Sequence, residues 1–144
     1  RREMPIFMYS YDHFTSPYRL RPDVLLDIED VYDAKAKACI QHESQMMDWL
    51  PWTMKQEDNV PPDYDEEQQY QMFDLVFMHV FSGAIKDYRK LWKKGFPDKR
   101  VRKAEVFELC EYGKQPTKRE LKELFPGCYI PSEKDKKAWR ERMR

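Results

Sequence analysis

Three polar side chains of this chain are candidates for binding a substrate: His42, Gln45 and Glu105. An imidazole, an amide and a carboxylate can together donate and accept hydrogen bonds from a hydroxyl-rich ligand. His42 falls on the apolar side of a predicted helix, where a single histidine is more often a hydrogen-bonded core residue than a ligand. Gln45 has the same structural alternative, so both roles stay open for these two residues.

Glu105 lies on one face of a predicted strand, beside Val101 and Phe107. A carboxylate in such a place is costly unless it meets a cation, a sugar hydroxyl or water. Glu105 is therefore predicted either at the rim of a binding pocket or in a structural salt bridge.

The histidines and cysteines of the sequence do not have the spacing of a zinc site. The chain contains three of each: His13, His42, His79, Cys39, Cys110 and Cys128. An odd number of cysteines in unrelated contexts also argues against a disulfide framework. A phosphate-binding glycine loop, a Gly-x-Ser-x-Gly elbow and a Cys-x-x-Cys pair are all missing from the sequence. We therefore predict no metal site within this chain and assign no catalytic residue.

A helix that follows a short strand would position the imidazole and the amide. Val24 to Leu26 form an apolar run that predicts a central strand, and Asp27 with Asp30 resembles a capping box at the helix start. The helix is predicted to run from about Asp30 to Leu50 and to end at Pro51, because proline lacks a backbone donor. From helical spacing, its inner face is predicted to consist of Val31, Ala34, Ala38, His42, Met46 and Trp49.

The whole pattern predicts a helix-rich α/β fold with about three strands. The other predicted elements are a strand over 4–11, a helix over 66–94, a strand over 101–112 and a charged tail helix over 132–144. Gly95 is predicted at the C′ position of the long helix. Thr117 and Ser132 are each followed three residues later by a carboxylate, which predicts capping boxes for two further helices.

The order of these motifs resembles the C-terminal half of the zinc-dependent deacetylases of the PIG-L/LmbE superfamily. A strand, an acidic turn and a helix lead to His42-Glu43-Ser44-Gln45, which is similar to the family's His-x-Ser-Gln motif, and the residues from Trp49 to Trp52 follow. The blocks from Met4 to Tyr18 and from Lys103 to Gly113 are similar to further parts of the same proteins. All three blocks occur in the family's order.

This resemblance implies a Rossmann-like α/β sandwich, in which residues 1–144 would be the C-terminal part of one domain whose N-terminal half is absent. It implies zinc-dependent removal of N-acetyl groups from a glucosamine-type sugar conjugate, with His42, Gln45 and Glu105 in the pocket wall. The family's zinc ligands stand in a His-Pro-Asp-Asp-Glu motif and a later His-x-Asp-His motif, and this sequence contains neither. The zinc cofactor is therefore expected only in the complete protein, and this chain alone is expected to be inactive.

The sequence also fits a second class of protein, a noncatalytic α/β interaction module. The predicted helix over 66–94 carries apolar residues on more than one side. Such a helix is either widely buried or docks another chain, which would be the missing N-terminal half or a second copy.

Charge and hydropathy narrow the range of partners. The 26 basic and 26 acidic side chains balance, so no net charge would attract nucleic acid or an anionic membrane. The apolar stretch from Leu75 to Phe81 is far shorter than the ~20 residues needed to span a bilayer. No signal-peptide pattern is seen, so the expected location is the cytoplasm. Export stays open, because the N-terminal half is expected to be missing.

Overall fold

Helices and strands alternate irregularly along the chain, which is a mixed α/β fold. The computed structural model describes residues 4–143. Within that range the strands are β1 (Ile6–Ser10), β2 (Val24–Asp27) and β3 (Ala104–Gly113). In the same range the α-helices are α1 (Tyr32–Ile40), α2 (Leu50–Thr53), α3 (Glu66–Asp87), α4 (Arg89–Gly95), α5 (Lys118–Leu124) and α6 (Glu133–Arg142). The predicted α/β class and the expected number of strands are confirmed.

The chain divides into two compact units. The first, called the sheet unit, contains the residues up to Glu29 and those from Val80 onward. The second, called the helical unit, contains Asp30–His79. Helix α3 contributes residues to both units, because the division falls between His79 and Val80.

The sheet is antiparallel throughout and has the strand order β1-β3-β2. Tyr9 of β1 lies opposite Glu108 of β3, and Val24 of β2 lies opposite Phe107. Side chains of directly opposed residues project from the same face of a sheet. Tyr9 and Glu108 therefore belong to one face, and Val24 and Phe107 to the other.

The prediction that β2 is a central strand is wrong. Strand β3 is central, and β2 lies at an edge of the sheet. The backbone of Tyr129 covers this edge, because the Leu25 N–H donates to the Tyr129 carbonyl at 2.9 Å and the Tyr129 N–H donates back at 2.8 Å. With its outer edge covered in this way, β2 has the apolar sequence that is typical of an inner strand.

The alternation predicted for β3 is confirmed, and the structure identifies its buried face. Ala104, Val106, Glu108 and Cys110 are buried, whereas the residues between them are half-buried. Helices on this side complete the core of the sheet unit. The buried residues of that core are Leu25, Ala84, Tyr88, Leu91, Trp92, Val101, Ala104, Val106 and Trp139.

Aromatic side chains in this core satisfy their polar atoms with backbone carbonyls. The Tyr88 hydroxyl donates to the Leu20 carbonyl at 2.7 Å, and Trp92 Nε1 donates to the Ala84 carbonyl at 3.1 Å. Burial raises the pKa of the Tyr88 phenol well above its ordinary value, because the charged form would lose its hydration. The rings thus contribute apolar area without leaving buried donors unpaired.

The long helix predicted over 66–94 begins where expected but consists of two helices, α3 and α4. Tyr88 separates them with φ −112° and ψ 23°. The prediction that Gly95 occupies a left-handed C′ position is wrong, since Gly95 is the last residue of α4 and the positive-φ glycines are Gly113 and Gly127. Gly95 instead leaves room for the ring of Tyr129, which a Cβ atom would overlap.

Both predicted capping boxes near the C-terminus are confirmed. Thr117 Oγ1 accepts from the Glu120 N–H, and Ser132 Oγ accepts from the Asp135 N–H, each at 3.2 Å. The carboxylates reach back to the backbone N–H groups of Thr117 and Ser132 at 2.8 and 3.3 Å. A lysine ammonium bound to each carboxylate, together with these bonds, lowers the pKa of Glu120 and of Asp135 to about 2. The predicted charged tail helix corresponds to α6.

The helical unit begins differently from the prediction. A 3-10 turn, Glu29–Val31, precedes α1, and no side chain caps the first turn of α1. Asp27 Oδ1 accepts from the Glu29 N–H at 3.1 Å, while its Oδ2 lies 2.6 Å from Lys99 Nζ. The predicted capping box of Asp27 and Asp30 is therefore wrong, because Asp27 serves the 3-10 turn and an ion pair.

The helix predicted to run from Asp30 to Leu50 is interrupted. Helix α1 ends at Ile40, a π-helix spans Ser44–Trp49, and α2 continues to Thr53. Pro51 does not end the helix as predicted. It lies in the first turn of α2, directly after the π-helix, and α2 continues for two residues beyond it.

The buried face of this region also differs from the predicted one. Of the six residues predicted to point inward, Met46 is buried, while Val31, Ala34, Ala38, His42 and Trp49 are exposed. The turn after Ile40 and the wider i→i+5 spacing of the π-helix move His42 and Trp49 away from a 3.6-residue period. Before that break, α1 buries Ala36 and Ile40 in place of Ala34 and Ala38. The core of the helical unit consists of Ala36, Ile40, Met46, Met47, Met72, Phe73 and Val76.

Candidate functional site

His42 and Gln45 lie together at a cavity of the helical unit with a volume of about 350 Å³. They are positioned by the turn between α1 and the π-helix, where the His42 N–H donates to the Cys39 carbonyl at 3.0 Å and the Gln45 N–H donates to the His42 carbonyl at 2.9 Å. Both side chains are exposed. His42 is therefore not the buried core histidine that the sequence favours.

The chemistry of this small cavity is limited. Apart from the imidazole and the amide, its lining is apolar or contains sulfur: Cys39, Met46, Leu50 and Phe77. Such a lining can hold a small uncharged group, with His42 and Gln45 supplying a donor and an acceptor. It contains no carboxylate that could act as a general base.

Glu105 lies in the sheet unit, on β3 opposite Leu26. Its side chain is half-buried and projects from the face opposite to that of Glu108. The structure thus brings His42 and Gln45 to one cavity of the helical unit, while the third predicted residue belongs to the other unit.

Two carboxylates buried in the sheet unit are those of Glu108 and Asp23, and neither is a predicted site residue. Glu108 is 6 % exposed and Asp23 is 3 % exposed. A buried carboxylate needs cations and donors to offset its desolvation. Arg21 supplies both, because its backbone N–H donates to Glu108 Oε2 at 2.6 Å and its Nε donates to Asp23 Oδ2 at 2.9 Å.

Asp23 is the centre of a charge network that joins β2, β3 and α6. The Leu109 N–H donates to Asp23 Oδ2 at 2.9 Å, and Lys136 Nζ lies 2.7 Å from Asp23 Oδ1. Arg21 Nη2 also donates to the Leu109 carbonyl at 3.0 Å. Burial alone would lower the pKa of Arg21, but the hydrogen bond to Asp23 and the negative charges of Asp23, Glu108 and Glu133 together outweigh burial, so the pKa is raised. Arg21 therefore keeps its charge within this network.

The sequence pattern of β3 indicates which of its two carboxylates, Glu105 or Glu108, is buried. Within Ala104–Gly113, the face of Glu108 carries Ala104, Val106, Cys110 and Tyr112, and the face of Glu105 carries Phe107, Leu109 and Glu111. Over the predicted strand 101–112, Arg102 on the first face and Val101 on the second obscure this difference. The more apolar face of an alternating strand is the buried one. Applied to both carboxylates, this rule identifies Glu108 as the buried member of the pair.

Glu108 and Arg21 line a cavity of the sheet unit, called the Glu108 cavity, which has a volume of about 870 Å³. It is walled by the loop before β2, by the end of β3 and by the end of α6. Arg19 and Arg140 add two guanidinium groups, and Glu111 adds a second carboxylate. The other side chains that we use below are Tyr9, Tyr18, Cys110, Tyr112 and Trp139.

Neither a metal centre nor a membrane-spanning helix is found in the part of the chain that the structure describes. Within residues 4–143, no group of three or more His, Cys, Asp or Glu side chains is arranged to hold a metal ion. No helix within those residues is both long enough and apolar enough to cross a membrane. No disulfide joins the described cysteines Cys39, Cys110 and Cys128.

Comparison of this chain with protein-family models, with curated proteins and with solved structures found no match. Its function is therefore argued from its own residues and from the motif order in the sequence.

Proposed function

We propose that this chain is the C-terminal part of a zinc-dependent N-deacetylase of the PIG-L/LmbE type, acting on N-acetylated glucosamine conjugates. The observation that carries the proposal is the order of strand β2, acidic 3-10 turn, helix α1 and the motif from His42 to Gln45. Both ends of that motif line one cavity. The same order of motifs occurs in the sequences of the family, which supports a common origin of this chain and the family.

The fold that accompanies this proposal is the C-terminal part of a Rossmann-like α/β sandwich. The described sheet has three antiparallel strands, whereas the inner strands of such sandwiches are parallel. Open α/β sheets often carry antiparallel strands at an edge. The three strands would then form the edge of a larger sheet whose parallel strands come from residues upstream of this chain.

The described residues offer no set of zinc ligands, so the proposal assigns the zinc to upstream residues and assigns no step of hydrolysis to this chain. The contribution of this chain would be to bind and orient the sugar. His42 and Gln45 would hydrogen-bond to an uncharged group such as an amide or a hydroxyl. Glu105 belongs to the sheet unit and does not line this cavity, so its predicted role of accepting from a sugar hydroxyl is separate from that of His42 and Gln45.

The test is acetate release from an N-acetylglucosamine conjugate by a longer form of the protein that includes the upstream residues. We expect release that a chelator abolishes, together with stoichiometric zinc in the longer form and none in the 144-residue chain. A longer form that binds no zinc and releases no acetate would refute the proposal. Stoichiometric zinc in the 144-residue chain would refute the assignment of the ligands to upstream residues.

A matched pair of variants tests the role of the cavity. Gln45→Ala in the longer form should raise KM for the conjugate about tenfold, because it removes hydrogen bonds to the substrate. Gln41→Ala changes an exposed glutamine one turn earlier that does not line the cavity, and it should leave KM unchanged. Equal KM values for the two variants would remove Gln45 from the binding site.

One observation favours the second candidate, a noncatalytic interaction module. Leu75 and Met78, one turn apart on α3, are exposed although both are large and apolar. Exposed apolar side chains on one helix face are typical of a docking surface. If this class is correct, Leu75→Ser with Met78→Ser should abolish association with the partner, and the longer form should release no acetate.

A further inference from the structure

We propose that the Glu108 cavity binds a small organic anion that also carries hydroxyl groups. The inference rests on the chemistry of the cavity wall and does not depend on the proposed deacetylase reaction. Its volume of about 870 Å³ falls in the range of small-molecule sites. All residues that line it belong to the sheet unit.

The first argument is a carboxylate oxygen of the cavity lining with unused capacity to accept hydrogen bonds. Glu108, which carries it, is more than nine-tenths buried as a residue. Its Oε2 accepts from the Arg21 N–H at 2.6 Å, but its Oε1 lies 3.9 Å from Arg21 Nη1, which is too far for a hydrogen bond. Within residues 4–143 no hydrogen bond reaches Oε1. Because Glu108 lines the cavity, Oε1 can accept from a ligand that brings a donor.

The second argument is a guanidinium group with no partner in the described chain. Arg140 lies in the last turn of α6 and lines the cavity, and its side chain makes no ion pair or hydrogen bond with residues 4–143. Arg19, in contrast, donates to Asp87 at 3.4 Å, and Arg21 is held by Asp23. Guanidinium groups bind carboxylates and phosphates through paired hydrogen bonds. Arg140, which is exposed, can therefore bind an anionic group on the ligand.

One guanidinium group of the cavity wall has no counter-ion among residues 4–143. Three guanidinium groups, those of Arg19, Arg21 and Arg140, face the two carboxylates of Glu108 and Glu111. Asp23 and Asp87 neutralise two of the three guanidinium groups from outside the lining. Arg140 is thus the cation that remains available to the ligand.

The third argument is a set of phenol groups. Tyr9, Tyr18 and Tyr112 line the cavity and are exposed. Cys110 Sγ donates to the Tyr9 hydroxyl oxygen at 3.2 Å, which leaves the Tyr9 O–H able to donate. Phenols offer a ring face together with a group that donates and accepts. A hydroxyl group on the ligand can exchange hydrogen bonds with both the phenols and Glu108, whereas an apolar substituent cannot.

The experiment is isothermal titration calorimetry of the 144-residue chain with D-glucose 6-phosphate as the probe. D-glucose supplies the hydroxyl groups without the anion, and inorganic phosphate supplies the anion without the hydroxyl groups. Loss of one charge-assisted interaction corresponds to about tenfold in affinity. We expect D-glucose 6-phosphate to bind at least tenfold more tightly than either control ligand. No measurable binding of D-glucose 6-phosphate, or equal binding of inorganic phosphate, would overturn the proposal.

Variants locate the binding within the cavity. Arg140→Gln should weaken binding of D-glucose 6-phosphate at least tenfold, whereas Arg142→Gln, which removes the same charge from the same turn of α6 outside the cavity, should leave it unchanged. Glu108→Gln turns an acceptor into a donor and should also weaken binding. If that buried variant does not fold, the exposed pair decides: equal losses for Arg140→Gln and Arg142→Gln would show nonspecific attraction and sink the inference.

Discussion

Replacing Asp23 by asparagine tests whether the buried charge network stabilises the fold. The change keeps the size of the side chain and an oxygen that can accept from the Leu109 N–H, but it removes the charge that faces Arg21 and Lys136. Removing one partner of a buried ion pair costs about 3–5 kcal/mol. Arg21 is about one-third exposed, so water compensates part of its loss. We therefore expect the free energy of unfolding to fall by about 3 kcal/mol.

The matched control is Glu133→Gln, which removes a different carboxylate from the same lysine. Glu133 lies 2.9 Å from Lys136 Nζ, but its side chain is 84 % exposed. An exposed pair contributes less than about 1 kcal/mol. Urea denaturation followed by circular dichroism measures both changes. For Asp23→Asn the midpoint should fall by on the order of 1–2 M urea. Equal losses for the two variants would refute the reasoning that burial decides the contribution.

Three further predictions concern titration and packing. The pKa of about 2 for Glu120 and Asp135 lies below their ordinary values. The ionised carboxylates therefore stabilise the two helix caps fully above about pH 4.5, and this stabilisation is lost as the pH falls through about 2. A thermal unfolding midpoint that stays constant from pH 5 to pH 2, within about a degree, would contradict this prediction. Burial raises the pKa of Tyr88, so stability should fall as the pH rises above about 10, and Tyr88→Phe should reduce that dependence in alkaline thermal melts. Gly95→Ala should destabilise the fold by about 1–3 kcal/mol, because the Cβ atom of the new alanine overlaps the ring of Tyr129. The better helix propensity of alanine does not offset this overlap. An unchanged free energy of unfolding in urea would show that the ring can move aside.

Features that depend on a few neighbouring residues were predictable from the sequence. The capping boxes at Thr117 and Ser132 are correct because the bonds of each box join residues three apart. The alternation of β3 is correct because adjacent side chains in a strand must face opposite ways. The beginning of α3 at Glu66 also agrees with the prediction.

Features that depend on distant contacts were not predictable in the same way. Strand β2 has the sequence of a central strand because Tyr129, about one hundred residues later, covers its edge. The face of α1 assigned to the core is wrong because α1 buries Ala36 and Ile40, and the side chains that they pack against come from the π-helix and α3. At the candidate sites, Glu105 was preferred to Glu108 because the helices that bury one face of β3 come from other parts of the chain.

The backbone pairing of Leu25 with Tyr129 also restricts how the sheet can be extended. An unprotected edge strand is a template on which a foreign chain can add, by augmentation or by aggregation. At Leu25, near the centre of β2, the edge is already paired, so a foreign strand cannot add there. Strand β1, the opposite margin of the sheet, is where a polypeptide could join, so any lateral growth of this sheet should be one-sided.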